Sequence, residues 1–272
     1  MRVLLVRHGE TVDNVSGLYA GVRDSPLTAH GVLQARRLGA YLAARSPVIG
    51  PVTHVFSSDL QRAANTAQAV LEAQASRESS AAIPGRAPVR LVKLPELRER
   101  DFGSAEGKRF GTPHADAETH EKMRLRADRF VRAHLGPLLQ NSVASDGLVV
   151  VVSHGILLNS LLKVLLTRFA PSELARLAPG PGSGRSDYLA SWGNTGYLEM
   201  VVRQPFPSGA AAGPESRDRR ERVSLAVVQV NALHHLEGLK KTRGGIGSAR
   251  FDSRQRTMDS FLAPRKRKAE ET

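Results

Sequence analysis

Cysteine is absent from this chain of 272 residues. Its absence excludes disulfide frameworks and thiolate metal sites. Long apolar runs are missing as well: no stretch reaches the roughly 18–20 residues that a bilayer span needs. The amino terminus carries neither the basic n-region, the long apolar h-region nor the small-residue cleavage site of a secretory signal. An intracellular protein without membrane contact is therefore expected. Histidines outside two motifs described below show no metal-ligand spacing, so neither a metal site nor a cofactor is expected.

Acidic residues are scarce. Thirty-nine Lys and Arg stand against 26 Asp and Glu, a formal charge of +13. The excess is uneven: residues 1–202 hold 24 basic and 18 acidic side chains, whereas Lys240 to Lys268 hold ten and two. The basicity thus belongs largely to a tail. A cationic tail attracts polyanions or simply stays solvated; direct nucleic-acid binding is not expected beyond nonspecific tail contacts.

Along residues 1–170, strands and helices alternate. Val3–Val6 is apolar throughout, which requires cover on both faces. A helix begins after Thr28, a suitable N-cap, with Val32, Ala35, Leu38 and Leu42 at helical spacing. THVFSSDLQRAANTAQAVLEAQ gives a short strand and a helix through Val70 and Leu71, and SRESSAAIPGRAP reads as a surface loop. Val89–Leu94 follows as a strand, Glu121–Leu139 as a helix, and Leu148–Val152 as the most apolar strand, leading into helix Ile156–Arg168. YLEMVV (197–202) and VSLAVVQV (223–230) read as an antiparallel hairpin at the sheet edge. The Pro/Gly-rich, charged stretch between them, about 203–222, is expected to be its mobile tip. The chain thus divides into a domain over 1–239 and a disordered basic tail over 240–272.

Two of these strands end oddly. MRVLLVRHGE closes its apolar run with Arg7, His8 and Gly9; LVVVVSHG closes with His154 and Gly155. Packing asks for neither, and the carboxyl ends of such strands are where open α/β sheets bind ligands. Two imidazoles at one edge of a parallel sheet, remote in sequence, could face each other. A neutral imidazole can attack phosphorus and carry the phosphoryl group. It then needs cations for the phosphoryl oxygens, a second donor, and an acid for the leaving alkoxide. Arg7 and Arg62 suit the first task, His154 the second, and a Glu of ELRERDFG the third. Plainer readings stand beside these: His154 as a core histidine, Arg62 paired with Asp59, the Glu in a surface salt bridge, and Asn14, the last residue of RHGETVDN, bonded within its own loop. The guanidinium groups would also disfavour protonation of His8 and keep its lone pair available.

RHGETVDN, DSPLTAHGVLQA, SSDLQRAANTA, LRERDFGSAEG and VVSHG, in that order, resemble the histidine phosphatase superfamily, the phosphoglycerate mutase-like proteins. The resemblance spans roughly residues 1–200. It implies a three-layer α/β/α sandwich with a mainly parallel sheet and metal-independent phosphoryl chemistry. It also implies His8 as the nucleophile that becomes phosphohistidine, His154 as the second pocket histidine, and Arg7, Arg62 and Asn14 as phosphate contacts. Glu99 is implied as proton donor, with Glu96 in reserve. The glycolytic mutases of the superfamily carry Trp just before the Asn of the first motif, where Asp13 stands here, and GVRD likewise lacks their Trp. The resemblance therefore favours a phosphatase of phosphomonoesters over a mutase. Substrate selection is expected from residues 104–122 and 171–193, with Lys108, Arg109 and Lys122 available for an extra acidic group.

The tail has a pattern of its own. In RQRTMDSFLAPRKRK, Gln255, Met258, Phe261 and Leu262 fall at i, i+3, i+6 and i+7. This resembles the peptide by which replication and repair proteins bind a sliding clamp, although Leu262 stands where an aromatic is usual. PRKRK (264–268) reads as a nuclear-localisation signal. A second reading of the whole chain follows: a nuclear scaffold that binds the clamp or phosphorylated ligands, with a vestigial catalytic domain.

Overall fold

The computed structural model describes residues 1–81, 88–141, 147–178, 189–203, 223–241 and 246–251. In chain order the elements are β1 (Arg2–Arg7), α1 (Val12–Ser16), α2 (Ala29–Ile49), β2 (Val52–Ser58), α3 (Gln61–Ala81), β3 (Leu91–Leu94), α4 (His120–Phe130), α5 (Gly136–Gln140), β4 (Leu148–Ser153), α6 (Gly155–Phe169), α7 (Pro171–Leu177), β5 (Tyr197–Arg203) and β6 (Ser224–Ala232). The strands form one sheet in the order β3-β2-β4-β1-β5-β6. β1 to β4 run parallel, while β5 is antiparallel to β1 and β6 antiparallel to β5. The expected edge hairpin is therefore β5–β6. Its tip, residues 204–222, lies outside the described residues.

Alternation along the central strands sorts the core into two layers. Val3, Leu5, Val149 and Val151 meet the apolar faces of α4 and α6, whereas Leu4, Val6, Val150 and Val152 meet α2 and α3. Each strand is apolar on both faces because each face has helices to cover it. This is the three-layer α/β/α arrangement. Thr28 caps α2, its hydroxyl accepting from the Gly31 amide.

The boundaries differ from expectation in three places. α3 continues through Ala81, beyond the point where Ser-rich composition suggested a loop from Ser76. The helix expected over 121–139 is interrupted at Val131–Leu135 by a π-helical stretch, where Gly136 donates to Val131 five residues back; Pro137, lacking an amide hydrogen, follows it. Structure also extends beyond Leu239. Residues 246–251 lie beside the start of α2, with Ala29 donating to Ala249 and Phe251 to Leu27. Lys241 pairs with Glu10 at 2.8 Å. Residues 252–272, and with them Gln255, Met258, Phe261, Leu262 and PRKRK, lie outside the described residues. No helix among the described residues is long and apolar enough to cross a membrane.

Topology positions the site. β1 and β4 are adjacent and in register, with Arg7 opposite Ser153. Each strand's next residue is a histidine, so His8 and His154 are brought side by side although 146 positions apart. β1 leads towards α2 on one face and β4 into α6 on the other. A crevice opens at the carboxyl end where helices diverge in this way.

Candidate active site

The His8 and His154 rings lie 5.0 Å apart at an angle of 57°. Both side chains are buried, and their hydrogen bonds fix opposite tautomers. His8 Nδ1 is 2.7 Å from the Gly9 carbonyl. A carbonyl only accepts, so Nδ1 carries the hydrogen and Nε2 carries the lone pair. For His154 the sense is reversed. Arg62 Nε donates to its Nδ1 at 3.1 Å, which places the hydrogen on Nε2. That Nε2 is buried without a partner among the described residues. One imidazole thus offers a nucleophile and its neighbour a donor.

Burial lowers the pKa of His8 well below the ordinary imidazole value, and the Arg62 and Arg7 charges lower it further. His154 is lowered in the same way by burial first, then by Arg62, His8, Arg7 and Arg126. A neutral imidazole at position 8, expected from the flanking arginines, is thus favoured chiefly by desolvation, with the cations second.

The loop after β1 is held from three sides. The Gly9 amide donates to Thr66 Oγ1, whose hydroxyl donates to the Arg62 carbonyl. The His8 carbonyl accepts from the Thr195 amide and from Asn194 Nδ2. Gly9 itself abuts the first turn of α2, where a Cβ would stand 2.6 Å from the Gly31 carbonyl oxygen. Only hydrogen fits.

Arg62, on the first turn of α3, is 1% exposed. Beyond His154 it donates to the carbonyls of Arg23 and Gly21 at 2.7 and 2.6 Å. Burial brings its pKa down to about 10, with Glu99, Asp24, Asp13 and Glu106 holding it up, so the guanidinium stays charged at neutral pH. It does not pair with Asp59, which binds Arg98 at 2.6 Å instead. Arg7 Nη1 donates to the Trp192 carbonyl at 2.6 Å, while its buried Nε has no partner among the described residues. Asn14 lines the same cavity. Its Oδ1 is taken by the Thr11 amide and by Asn194 Nδ2, which leaves the Asn14 amide hydrogens for a ligand. The bonding within its own loop and the cavity position thus coexist.

Of the two candidate acids, Glu99 lines the cavity and Glu96 does not. The Glu99 carboxylate receives the amides of Ile156 and Leu157 at the start of α6, at 3.2 and 3.1 Å. Its backbone is fixed by a residue that the sequence pattern did not single out. Arg126 on α4 donates to the carbonyls of Glu96, Arg98 and Glu99 and grips Glu118 through two bonds of 2.8 Å. A basic residue on the stripe made by Met123, Ala127 and Phe130 was the available signal, since a buried arginine must find several acceptors. Ala190, Ser191 and Trp192 also line the cavity, whereas Lys108, Arg109 and Lys122 do not. The expectation that those three meet the substrate is corrected: the 104–122 segment presents Phe110 there instead.

The family model for the histidine phosphatase superfamily (branch 1) matches residues 3–184. The chain belongs to this superfamily. Among histidine phosphatases, it is 28% identical to a probable phosphatase of Schizosaccharomyces pombe over 272 residues, covering 96% of this chain and 79% of the relative. It is 33% identical to a probable phosphoglycerate mutase of Klebsiella pneumoniae over 207 residues, covering 73% and 90%. The fold matches that of a mycobacterial glucosyl-3-phosphoglycerate phosphatase with a TM-score of 0.56 and 21% identity, over 85% of this chain and 99% of that one.

Proposed function

We propose that this histidine phosphatase hydrolyses phosphomonoesters through a phosphohistidine on His8, with Glu99 as proton donor. The observation that carries the reading is the pair of opposed tautomers. The His8 ring, with its lone pair on Nε2, lies 5.0 Å from the His154 ring, with its hydrogen on Nε2, and the charges of Arg62 and Arg7 bear on both.

In the first step His8 Nε2 attacks phosphorus and the ester P–O bond breaks. Charge moving onto the phosphoryl oxygens is met by Arg7, by the remaining hydrogens of Arg62, and by His154 Nε2–H. Asn14 supplies a further donor. Glu99, in its acid form, gives its proton to the departing alkoxide. In the second step Glu99, now a carboxylate, takes a proton from water as the oxygen attacks phosphorus. The P–N bond breaks, inorganic phosphate leaves, and Glu99 has its proton back.

Rapid acid quenching against alkaline quenching tests the intermediate: an acid-labile, base-stable adduct on residue 8 is expected, absent from His8→Ala. Turnover of p-nitrophenyl phosphate is expected to persist with chelator present, because every charge in the cycle is met by a side chain. Equal rates for wild type and His8→Ala would remove the enzymatic reading in favour of a binding scaffold. A mutase would instead hand the phosphoryl group to a second alcohol, so inorganic phosphate release separates the two chemistries. The tail, with its clamp-like spacing and PRKRK, supplies an address and a tether in this reading; binding of a peptide spanning 250–268 to the clamp tests it.

A further inference from the structure

The cavity that holds the phosphate cup has a volume of about 460 Å³, well beyond what a phosphoryl group fills. Most of what lines the remainder is aromatic or apolar: Tyr19, Phe102, Phe110 and Trp192, with Leu18 and Ile156, beside the polar Asn159 and Ser191. Among the described residues its only cations are Arg7 and Arg62. Both belong to the phosphate end, and Arg62 already spends three donor groups on His154, Arg23 and Gly21.

The aromatic wall is built before any ligand arrives. The backbone of residues 17–19 pairs with that of 107–110 through Tyr19 N to the Lys108 carbonyl, Gly107 N to the Tyr19 carbonyl and Phe110 N to the Gly17 carbonyl. The Tyr19 ring lies 4.4 Å from Phe102 and stands edge-on to Phe110 at 5.0 Å. His114 closes the cluster at 5.4 Å from both Tyr19 and Phe102. The Tyr19 hydroxyl accepts from the Gly111 amide, which fixes the ring in its plane. Phe110 is nevertheless 59% exposed. A large apolar ring held at the mouth of a cavity, with most of its surface in water, is a face waiting for cover.

We infer that the preferred substrates are monoesters whose alcohol is apolar and carries a planar ring, which covers the wall of Tyr19, Phe102 and Phe110 while the phosphate sits on Arg7 and Arg62. The inference rests on the phosphatase reading and specifies its leaving group. A second carboxylate or phosphate on the alcohol would be desolvated against those rings, and among the described residues that line them there is no cation to meet it. A bicyclic ring would remove its own surface and that of Phe110 from water, raising kcat/KM about tenfold to a hundredfold over a small alkyl group.

The experiment compares naphthylmethyl phosphate, ethyl phosphate and phosphoglycerate, all alkyl monoesters, so that leaving-group basicity changes little beside the shape and charge of the alcohol. The wild-type protein is expected to prefer naphthylmethyl over ethyl phosphate by about tenfold or more, and to use phosphoglycerate no better than ethyl phosphate. In Phe110→Ala the naphthylmethyl-to-ethyl ratio is expected to fall several-fold. The ring's exposure makes loss of folding no explanation for such a change, because a fold defect lowers all three esters together. A wild-type ratio at or below one, a preference for phosphoglycerate, or an unchanged ratio in Phe110→Ala would overturn the inference while leaving the phosphatase reading in place. Turnover of none of the three, nor of p-nitrophenyl phosphate, removes that reading, and the inference with it; turnover of p-nitrophenyl phosphate alone overturns only the inference.

Discussion

Arg126 is the side chain whose removal should be felt in both stability and catalysis. It is 9% exposed, and each of its nitrogens donates: Nε and Nη2 to Glu118, Nη2 also to the Glu99 carbonyl, and Nη1 to the carbonyls of Glu96 and Arg98. Arg126→Met keeps the aliphatic stem and deletes the fork. Glu118 is then left largely buried without its partner, and removing one member of a buried pair costs about 3–5 kcal/mol. The three orphaned carbonyls could add about 1–3 kcal/mol each if they stayed dry. Glu96 and Glu99 are only partly buried, however, and Arg98 is exposed, so rehydration can offset that loss and the pair sets the scale. Urea unfolding of Arg126→Met should therefore show about 3–5 kcal/mol lost, with a coupling to Glu118→Gln of about 1–3 kcal/mol in a double-mutant cycle. Catalysis supplies the second readout. Arg126 touches no substrate; it positions the backbone of Glu99, so its loss should lower kcat more than it raises KM. The deficit should be larger for an alkyl ester, whose alkoxide needs a proton, than for p-nitrophenyl phosphate, whose leaving group does not. Arg126→Lys should recover only part of either effect, because an ammonium cannot span the same acceptors. A loss below about 1 kcal/mol, or equal kcat deficits for both leaving groups, would refute the reasoning.

Further expectations concern protons and close contacts. Because burial, Arg62 and Arg7 keep His8 neutral below the ordinary imidazole range, the acidic limb of kcat/KM should fall below pH 6.5; a limb at or above that value argues against His8 as the titrating nucleophile. Stability moves with pH through the same groups. His8 and His154 are lowered well below 6.5, and His235 to about 4, each chiefly by burial. The unfolded chain therefore takes up protons that the folded chain refuses, and stability should decline as pH drops below about 6.5, for His235 down to about 4. Denaturant titrations across that window check the sign. Gly9→Ala should shift the His8 loop off Gly31 and lower kcat markedly; an active Gly9→Ala enzyme would show that the loop yields without consequence. Glu99→Gln should slow alkyl esters by about 10²–10⁴-fold, and p-nitrophenyl phosphate far less in single-turnover measurement.

What could be read from the sequence, and what could not, divides along the distance over which a residue finds its partners. Apolar strands ending in His-Gly announce themselves locally, and parallel packing brings any two such strand ends to one edge. That His8 and His154 could share one sheet edge was therefore legible locally, although their adjacency rests on β1 and β4 being neighbours in the sheet; Thr28 as a cap was equally local. Arg126 is different in kind. In HEKMRLRADRF it is one of several basic residues, and only the helical phase with Met123 and Phe130 hints that it faces inward; its acceptors lie on loop carbonyls that no pattern records. The aromatic wall was hidden for a related reason. Lys108 and Arg109 dominate the composition of their segment, yet backbone pairing with residues 17–19 turns Phe110 towards the cavity and leaves both charges outside its lining. The same holds for residues 246–251, where the scarcity of core-building residues suggested no order but two backbone hydrogen bonds, from Phe251 to Leu27 and from Ala29 to Ala249, supply it. Chemistry that needs one residue type at one strand end survives in the sequence. The shape of the cavity wall, which depends on which faces two loops turn to each other, is decided by pairing between segments some ninety residues apart, and it becomes visible only when both stand in place.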